Sequence, residues 1–157
     1  MSRKKNLKKN YIEADSVYNN FLISLLISKV LKSGKKSLAN YIVYTMCSII
    51  KAKTNKSPID IIKKAIIKVT PKMELRDKKI RNRIKKVPIE VSSYRATYLA
   101  LKWIIKFSKK RNEKTMSEKL AYEVLDILNN NSEIIKERKR IHRIAKSNKS
   151  FMYYFKS

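Results

Sequence analysis

A chain of 157 residues with 43% hydrophobic content buries one modest core, yet it carries 39 Lys plus Arg against 12 Asp plus Glu, a formal net charge of +27. That excess repels itself in an isolated fold, so it implies a polyanionic partner: nucleic acid first, because each neutralised phosphate releases a counterion, and an anionic membrane surface as a weaker second. Cys47 is the single cysteine and His142 the single histidine, which excludes an internal disulfide and a four-ligand Cys/His zinc site.

Residues 1–12 read as a basic tail, with Arg3, Lys4, Lys5, Lys8 and Lys9 and little to bury. Followed by the apolar run of residues 21–31, this superficially copies a secretory signal, but Glu13 and Asp15 divide the two parts and Lys29 interrupts the run. The run is well short of the about 20 residues that span a bilayer and reads as a core helix. Asp15 or Ser16 is its expected cap, Phe21, Leu22, Leu25, Leu26 and Val30 its apolar stripe, and Gly34, the sole glycine, its left-handed stop. A second helix is expected from about Ser37, with Leu38, Ile42, Met46, Ile49 and Ile50 on one side. Cys47 falls in that stretch as a small buried hydrophobe rather than a nucleophile.

Ser57 is a good N-cap for a third helix, with Pro58 at its first position and Asp60 where a capping-box acid belongs. Ile59, Ile62, Ile66 and Val69 should face inward, and the helix should stop at Thr70, because a residue before proline resists the helical conformation. Over residues 71–91 the period changes to two: Met73 and Leu75, then Val87, Ile89 and Val91, alternate with polar neighbours. Two such stretches joined by a short polar link predict a two-stranded antiparallel ribbon, where Pro88 is tolerable because both strands are edges. Ser92 or Ser93 then caps a fourth helix with Leu99, Ala100, Trp103, Ile104 and Phe107 inward. Thr115 with Glu118 makes a capping box for a fifth, carrying Leu120, Ala121, Val124, Ile127 and Leu128. After the polar break at Asn129, Asn130 and Asn131, a sixth helix from about Ser132 carries Ile134, Ile135, Ile141 and Ile144. The expected fold is mainly α, about six helices with one extended two-stranded ribbon between the third and fourth. It divides into the basic tail 1–12, a single helical RNA-binding domain 13–150 with the ribbon arm 71–91, and an aromatic tail 151–157.

The positive charge is placed with order. Arg95, Lys102, Lys106 and Lys109 recur so that, at about 100° per residue, they share one face of the fourth helix opposite its apolar side, with no acid at helical spacing to pair them. The ribbon carries Arg76, Lys78, Lys79, Arg81, Arg83, Lys85 and Lys86 against Asp77 alone. Like charges across a ribbon with little core destabilise it, so such an arm is expected to dock on something negative. Lys109, Lys110, Arg111 and Lys114 precede a capped helix N-terminus, where amides and cations together suit a phosphate. Lys136, Arg138, Lys139, Arg140 and Arg143 form a last cluster, and His142 beside it reads as a surface polar residue rather than a base. Aromatic residues do not interleave with the basic ones on the strands, so recognition of RNA shape and backbone is expected over sequence.

Several strings, in order along nearly the whole chain, carry a resemblance: Gly34-Lys35-Lys36-Ser37 with Ala39 and Ile42-Val43-Tyr44; Pro71 with Glu74; Val87-Pro88-Ile89-Glu90-Val91; Arg95, Leu99-Ala100 and Trp103-Ile104; Lys110-Arg111, Lys114 and Met116; and His142-Arg143, Ala145, Asn148-Lys149 and Phe151. The chain thereby resembles the family of the seventh small-subunit ribosomal protein, in its bacterial and organellar form. The resemblance implies a helical protein with an extended β-hairpin that binds the 3′ major domain of small-subunit rRNA, starts assembly of the head and lines the exit-site region near tRNA and mRNA. By position, Lys35, Lys36, Arg76, Lys78, Lys79, Arg95, Lys110, Arg111 and Lys114 fall where that family meets rRNA. Arg81, Asn82, Arg83 and Lys85 at the ribbon tip fall nearest the exit-site tRNA. The C-terminal helix and tail would face a neighbouring platform protein, with head proteins as further neighbours. Two positions depart from the family: Arg81-Asn82-Arg83 replaces its usual Gly pair at the tip, and Ser92-Ser93 stands where Arg-Pro is frequent.

With no presequence before the basic tail and a Lys/Asn/Ile bias, the expected location is the ribosome of a plastid-type organelle, the apicoplast first, with the cytoplasm of an AT-rich bacterium or a mitochondrion as alternatives. The competing function is a free-standing nucleoid or DNA-binding protein, since basic helices and ribbons also enter DNA grooves. Membrane binding is disfavoured by the lack of a Trp/Phe-rich face left outside the core. An enzyme is the least favoured class, because no titratable pair is set up for acid–base or nucleophilic work; no catalytic residue, cofactor or metal is expected.

Overall fold

Six helices and one ribbon form in the expected order in a computed structural model, which describes residues 13–80 and 83–152. They are α1 (Phe21–Val30), α2 (Lys36–Thr54), α3 (Pro58–Val69), β1 (Met73–Ile80), β2 (Arg83–Glu90), α4 (Ser93–Ser108), α5 (Met116–Leu128) and α6 (Glu133–Ser147), followed by a 3-10 turn over Lys149–Met152. The basic tail 1–12, with Arg3, Lys4, Lys5, Lys8 and Lys9, lies outside the described residues. So do Arg81 and Asn82 at the ribbon tip and residues 153–157 of the aromatic tail.

Helix α5 packs against α2, α3 and α4. Its Leu120, Ala121, Val124 and Ile127 are buried as the heptad-like spacing predicts, against Met46 and Ile50 of α2, Val69 of α3, and Ala100 and Leu101 of α4. Removal of this apolar surface from water is the main force holding the helices together. The start of α5 also follows its sequence. Thr115 Oγ1 accepts the Glu118 amide and the Glu118 carboxylate accepts the Thr115 amide, both at 3.2 Å.

Several local readings need correction. First, α1 is capped by neither Asp15 nor Ser16 but by Asn20, whose Oδ1 accepts the Leu22 amide at 2.9 Å. Asp15 is buried elsewhere: it accepts the Val17 and Tyr18 amides and the Tyr44 hydroxyl, closing a turn before the helix. Nor does Gly34 stop α1, which ends at Val30 with Leu31 as its cap. Ser33 (φ 50°) and Gly34 (φ 72°) instead form the centre of a tight turn, closed by the Lys35 amide on the Lys32 carbonyl at 3.1 Å.

Second, α2 is rotated from the expected stripe. Ala39, Val43, Met46, Cys47 and Ile50 are buried, Ile42 and Ile49 are half-buried, and Leu38 is 52% exposed. Apolar residues surround much of this helix, so its neighbours and not its own pattern decide which side packs. Third, neither Ser57 nor Ser92 makes a side-chain capping bond. Asp60 still lies in the first turn of α3, where its charge suits the helix dipole. On α4, Trp103 and Phe107 are only partly buried, while Ala96, Leu101 and Ile105 join the interior.

The ribbon runs in register from Met73 opposite Glu90 to Ile80 opposite Arg83, with Pro88 opposite Leu75. Its root is buried at Val87 and Pro88 and tied to α6 and the following turn. The Lys72 amide donates to His142 Nε2 at 3.2 Å, and Asn148 Nδ2 donates to the Lys86 carbonyl at 2.9 Å.

Candidate nucleic-acid interface

The expected cations fall into two kinds, those turned to solvent and those spent inside the fold. Lys35 and Lys36 are exposed at the start of α2, and Lys102, Lys106 and Lys109 are exposed along α4. On the ribbon, Arg76, Lys79 and Arg83 are exposed, while Lys78 and Lys85 are half-buried and directly opposite each other. Cross-strand like charges of this kind oppose the ribbon's own pairing. Lys110, Lys114 and Arg143 are exposed as well, with the Lys110 ammonium 4.8 Å from the Phe107 ring centroid.

Ribbon and α4 meet through an acid that helical spacing could not reveal. Arg95 donates from Nη2 and Nε to the two oxygens of Glu74 on β1, at 2.8 and 3.2 Å. That fork holds the Glu74 carboxyl below its ordinary range, and Arg76 and Lys102 act on it in the same direction. Arg95, Arg76 and Lys102 thus converge around a single carboxylate at the ribbon's base. The turn between α1 and α2 and the end of α4 are likewise brought together, since Lys29, Lys32, Lys35 and Lys109 line one pocket.

Arg111 is the residue whose setting sequence reasoning missed. Its guanidinium meets three carboxylates, Glu113 at 3.1 Å, Glu123 at 2.8 Å and Asp126 at 2.6 Å. Burial alone would lower its proton affinity, yet the hydrogen bonds to Asp126, Glu123 and Glu113 raise it above the ordinary value. Glu123 is itself buried and also accepts the Ser132 hydroxyl, while the Lys119 ammonium holds the Arg111 carbonyl at 2.7 Å. Arg111 therefore fixes the loop from which Lys109, Lys110 and Lys114 project. The signal was present: Glu123 sits among Leu120, Val124 and Ile127 on the inward side of α5, and a buried carboxylate requires a cation.

Other basic side chains are also structural. The Lys68 ammonium caps the Leu128 carbonyl at 2.7 Å, Arg138 donates to the Lys68 carbonyl, and Arg140 pairs with Glu137 one turn away. His142 is part-buried and accepts an amide, and burial followed by Arg138 and Lys72 lowers its pKa from 6.5. Cys47 is fully buried, and burial pushes its thiol up to about 11, far from a reactive thiolate at neutral pH. Among the described residues no cluster of His, Cys, Asp or Glu has the makings of a metal site, and no helix is long and apolar enough to cross a membrane. What the arrangement can do chemically is offer many exposed cations, on a helical body with a closed core, to an anionic partner.

Comparison with known proteins shows the chain's relatives. The chain is 41% identical to "Small ribosomal subunit protein uS7" of Gloeothece citriformis over 98% of its own length and 99% of the relative's. It is 45% identical to "Small ribosomal subunit protein uS7c" of Trieres chinensis, covering 92% of this chain and 91% of that one. It is also 41% identical to uS7 of Mycoplasma mycoides, covering 97% and 98%. The family described as "Ribosomal protein S7p/S5e" matches over residues 2–149, nearly the whole chain, and the chain belongs to that family.

Proposed function

We propose that this protein, a structural constituent of the small ribosomal subunit, binds the 3′ major domain of the subunit's rRNA, nucleates assembly of the head and lines the tRNA exit site. One observation carries the reading: the chain has a net charge of +27, and among the described residues most cations are exposed on a closed apolar core. The rRNA contacts fall to Lys35 and Lys36, to Arg76, Lys78 and Lys79 of the ribbon, to Arg95, Lys102, Lys106 and Lys109 of α4, to Lys110 and Lys114 beside the capped α5, to Arg143, and to Arg3, Lys4, Lys5, Lys8 and Lys9 of the tail. Arg111 serves by holding its loop in place. Arg81, Asn82, Arg83 and Lys85 face exit-site tRNA and mRNA, and α6 with the aromatic tail meets neighbouring head and platform proteins. The Lys/Asn/Ile bias supports a ribosome of a plastid-type organelle, the apicoplast first.

Filter binding to a transcript of the 3′ major domain tests this. Affinity should fall steeply with salt, with a slope in log K of about −0.9 per phosphate contacted on duplex regions. Replacing Arg76, Lys78 and Lys79 together by Ala should flatten the slope by about three such units. An unchanged slope would show that the ribbon leaves the RNA untouched, and duplex DNA outcompeting the transcript would favour a nucleoid protein instead.

A further inference from the structure

Between the end of α1, the start of α2, the end of α4 and the first residue of α5 lies a pocket of about 400 Å³ with two chemically distinct zones. Its apolar side is lined by Val30, Leu38, Ala39, Ile42, Ile105 and Met116. Its rim is cationic: Lys32 and Lys35 at the two ends of the Ser33–Gly34 turn, Lys109 at the end of α4, and Lys29, whose ammonium lies 3.8 Å from the Tyr98 ring centroid. No carboxylate lines the pocket, and none among the described residues pairs with Lys32, Lys35 or Lys109. Leu38, which the core leaves 52% exposed, thereby becomes part of the wall of a concave site.

A volume of this order holds a small ligand. An apolar side next to unpaired ammonium groups matches a molecule with a flat, weakly hydrated part and an anionic part on the same unit. We propose that the pocket receives one unpaired nucleotide of the bound RNA, its base against Leu38, Ile42 and Met116 and its flanking phosphates on Lys32, Lys35 and Lys109. The proposal rests on the rRNA-binding reading above and deepens it. Cations on an extended surface read only backbone and shape, whereas a pocket of this kind selects a place where a base is splayed out of its helix. It gives the α1–α2 turn a part in choosing the site on the RNA, where the ribbon and α4 supply mainly attraction.

The test compares Leu38→Ser/Met116→Ser with Lys32→Ala/Lys35→Ala on a 3′ major domain transcript, thermal melting first checking that each variant folds. The apolar pair should bind about tenfold more weakly with an unchanged salt slope, because no phosphate contact is lost. The lysine pair should flatten the slope by about two units. Transcripts carrying a single abasic site at each unpaired position in turn should include one that binds the unaltered protein about tenfold more weakly and shows no further loss with Leu38→Ser/Met116→Ser. The inference falls if the apolar variant binds as tightly as the unaltered protein, or if no abasic position removes its effect. If that variant keeps full RNA affinity but loses a neighbouring subunit protein during assembly, the pocket belongs to a protein and the inference is overturned. A transcript that does not bind the unaltered protein at all removes both this inference and the function it rests on.

Discussion

Arg111, expected to meet RNA, is bolted to three carboxylates within the fold. Replacing it with Ala leaves buried Glu123 with only the Ser132 hydroxyl and should destabilise the protein by about 3 kcal/mol, read as a lower urea midpoint. Arg111→Lys should recover only part of this, because one ammonium cannot fork onto three carboxylates. Were Arg111 mainly an RNA contact, Arg111→Ala would keep its midpoint and lose only affinity. His142 supplies a pH dependence of defined sign. Its folded pKa lies below the 6.5 of the free side chain, so the unfolded chain takes up the proton first. Stability contributed by the neutral imidazole is complete above about pH 6.5 and drains away as pH falls from there through the folded value. Between about pH 8 and pH 5 the decline in urea midpoint should be shallower in His142→Gln, which removes the titration. Equal slopes would mean the imidazole titrates alike in both states.

At the level of elements, local rules held for the α5 cap and the ribbon but not for the Ser57 and Ser92 caps, and packing decided much of the rest. The box of Thr115 and Glu118 needs nothing beyond its own turn and formed as spelled out; Glu118→Ala should lower stability by about 1 kcal/mol in thermal melts. The end of α3 before Pro71 and the alternating ribbon were equally legible. By contrast α2 has apolar residues on most sides, so its seam was chosen by neighbours, and Leu38 was left outside. Asp15 looked like a cap because it precedes an apolar run. The Tyr44 hydroxyl, far along the chain, draws it into a turn and hands the cap to Asn20. Of the candidate interface, the basic clusters were readable from charge alone. The Arg95–Glu74 fork, the Arg111 hub and the pocket behind Lys35 were not, since each depends on residues that only tertiary contact brings together.

For the whole molecule, charge governs behaviour. A body with formal charge +27 repels itself, and counterions relieve that strain. The protein without RNA should therefore melt at a rising temperature as salt is raised from about 0.05 to about 0.5 M, the opposite of its RNA affinity over the same range. A melting temperature indifferent to salt would mean that the internal pairs already balance the surface. The way the ribbon is held at its root adds a matter of timing. Its backbone is gripped by His142 within α6 and by Asn148 at that helix's end, both later in the chain than α1 to α5. A growing polypeptide therefore makes its basic arm well before it makes the clamp. The root of the arm is held only once the helix behind it has left the exit tunnel, so the order of synthesis itself delays a fully anchored ribbon.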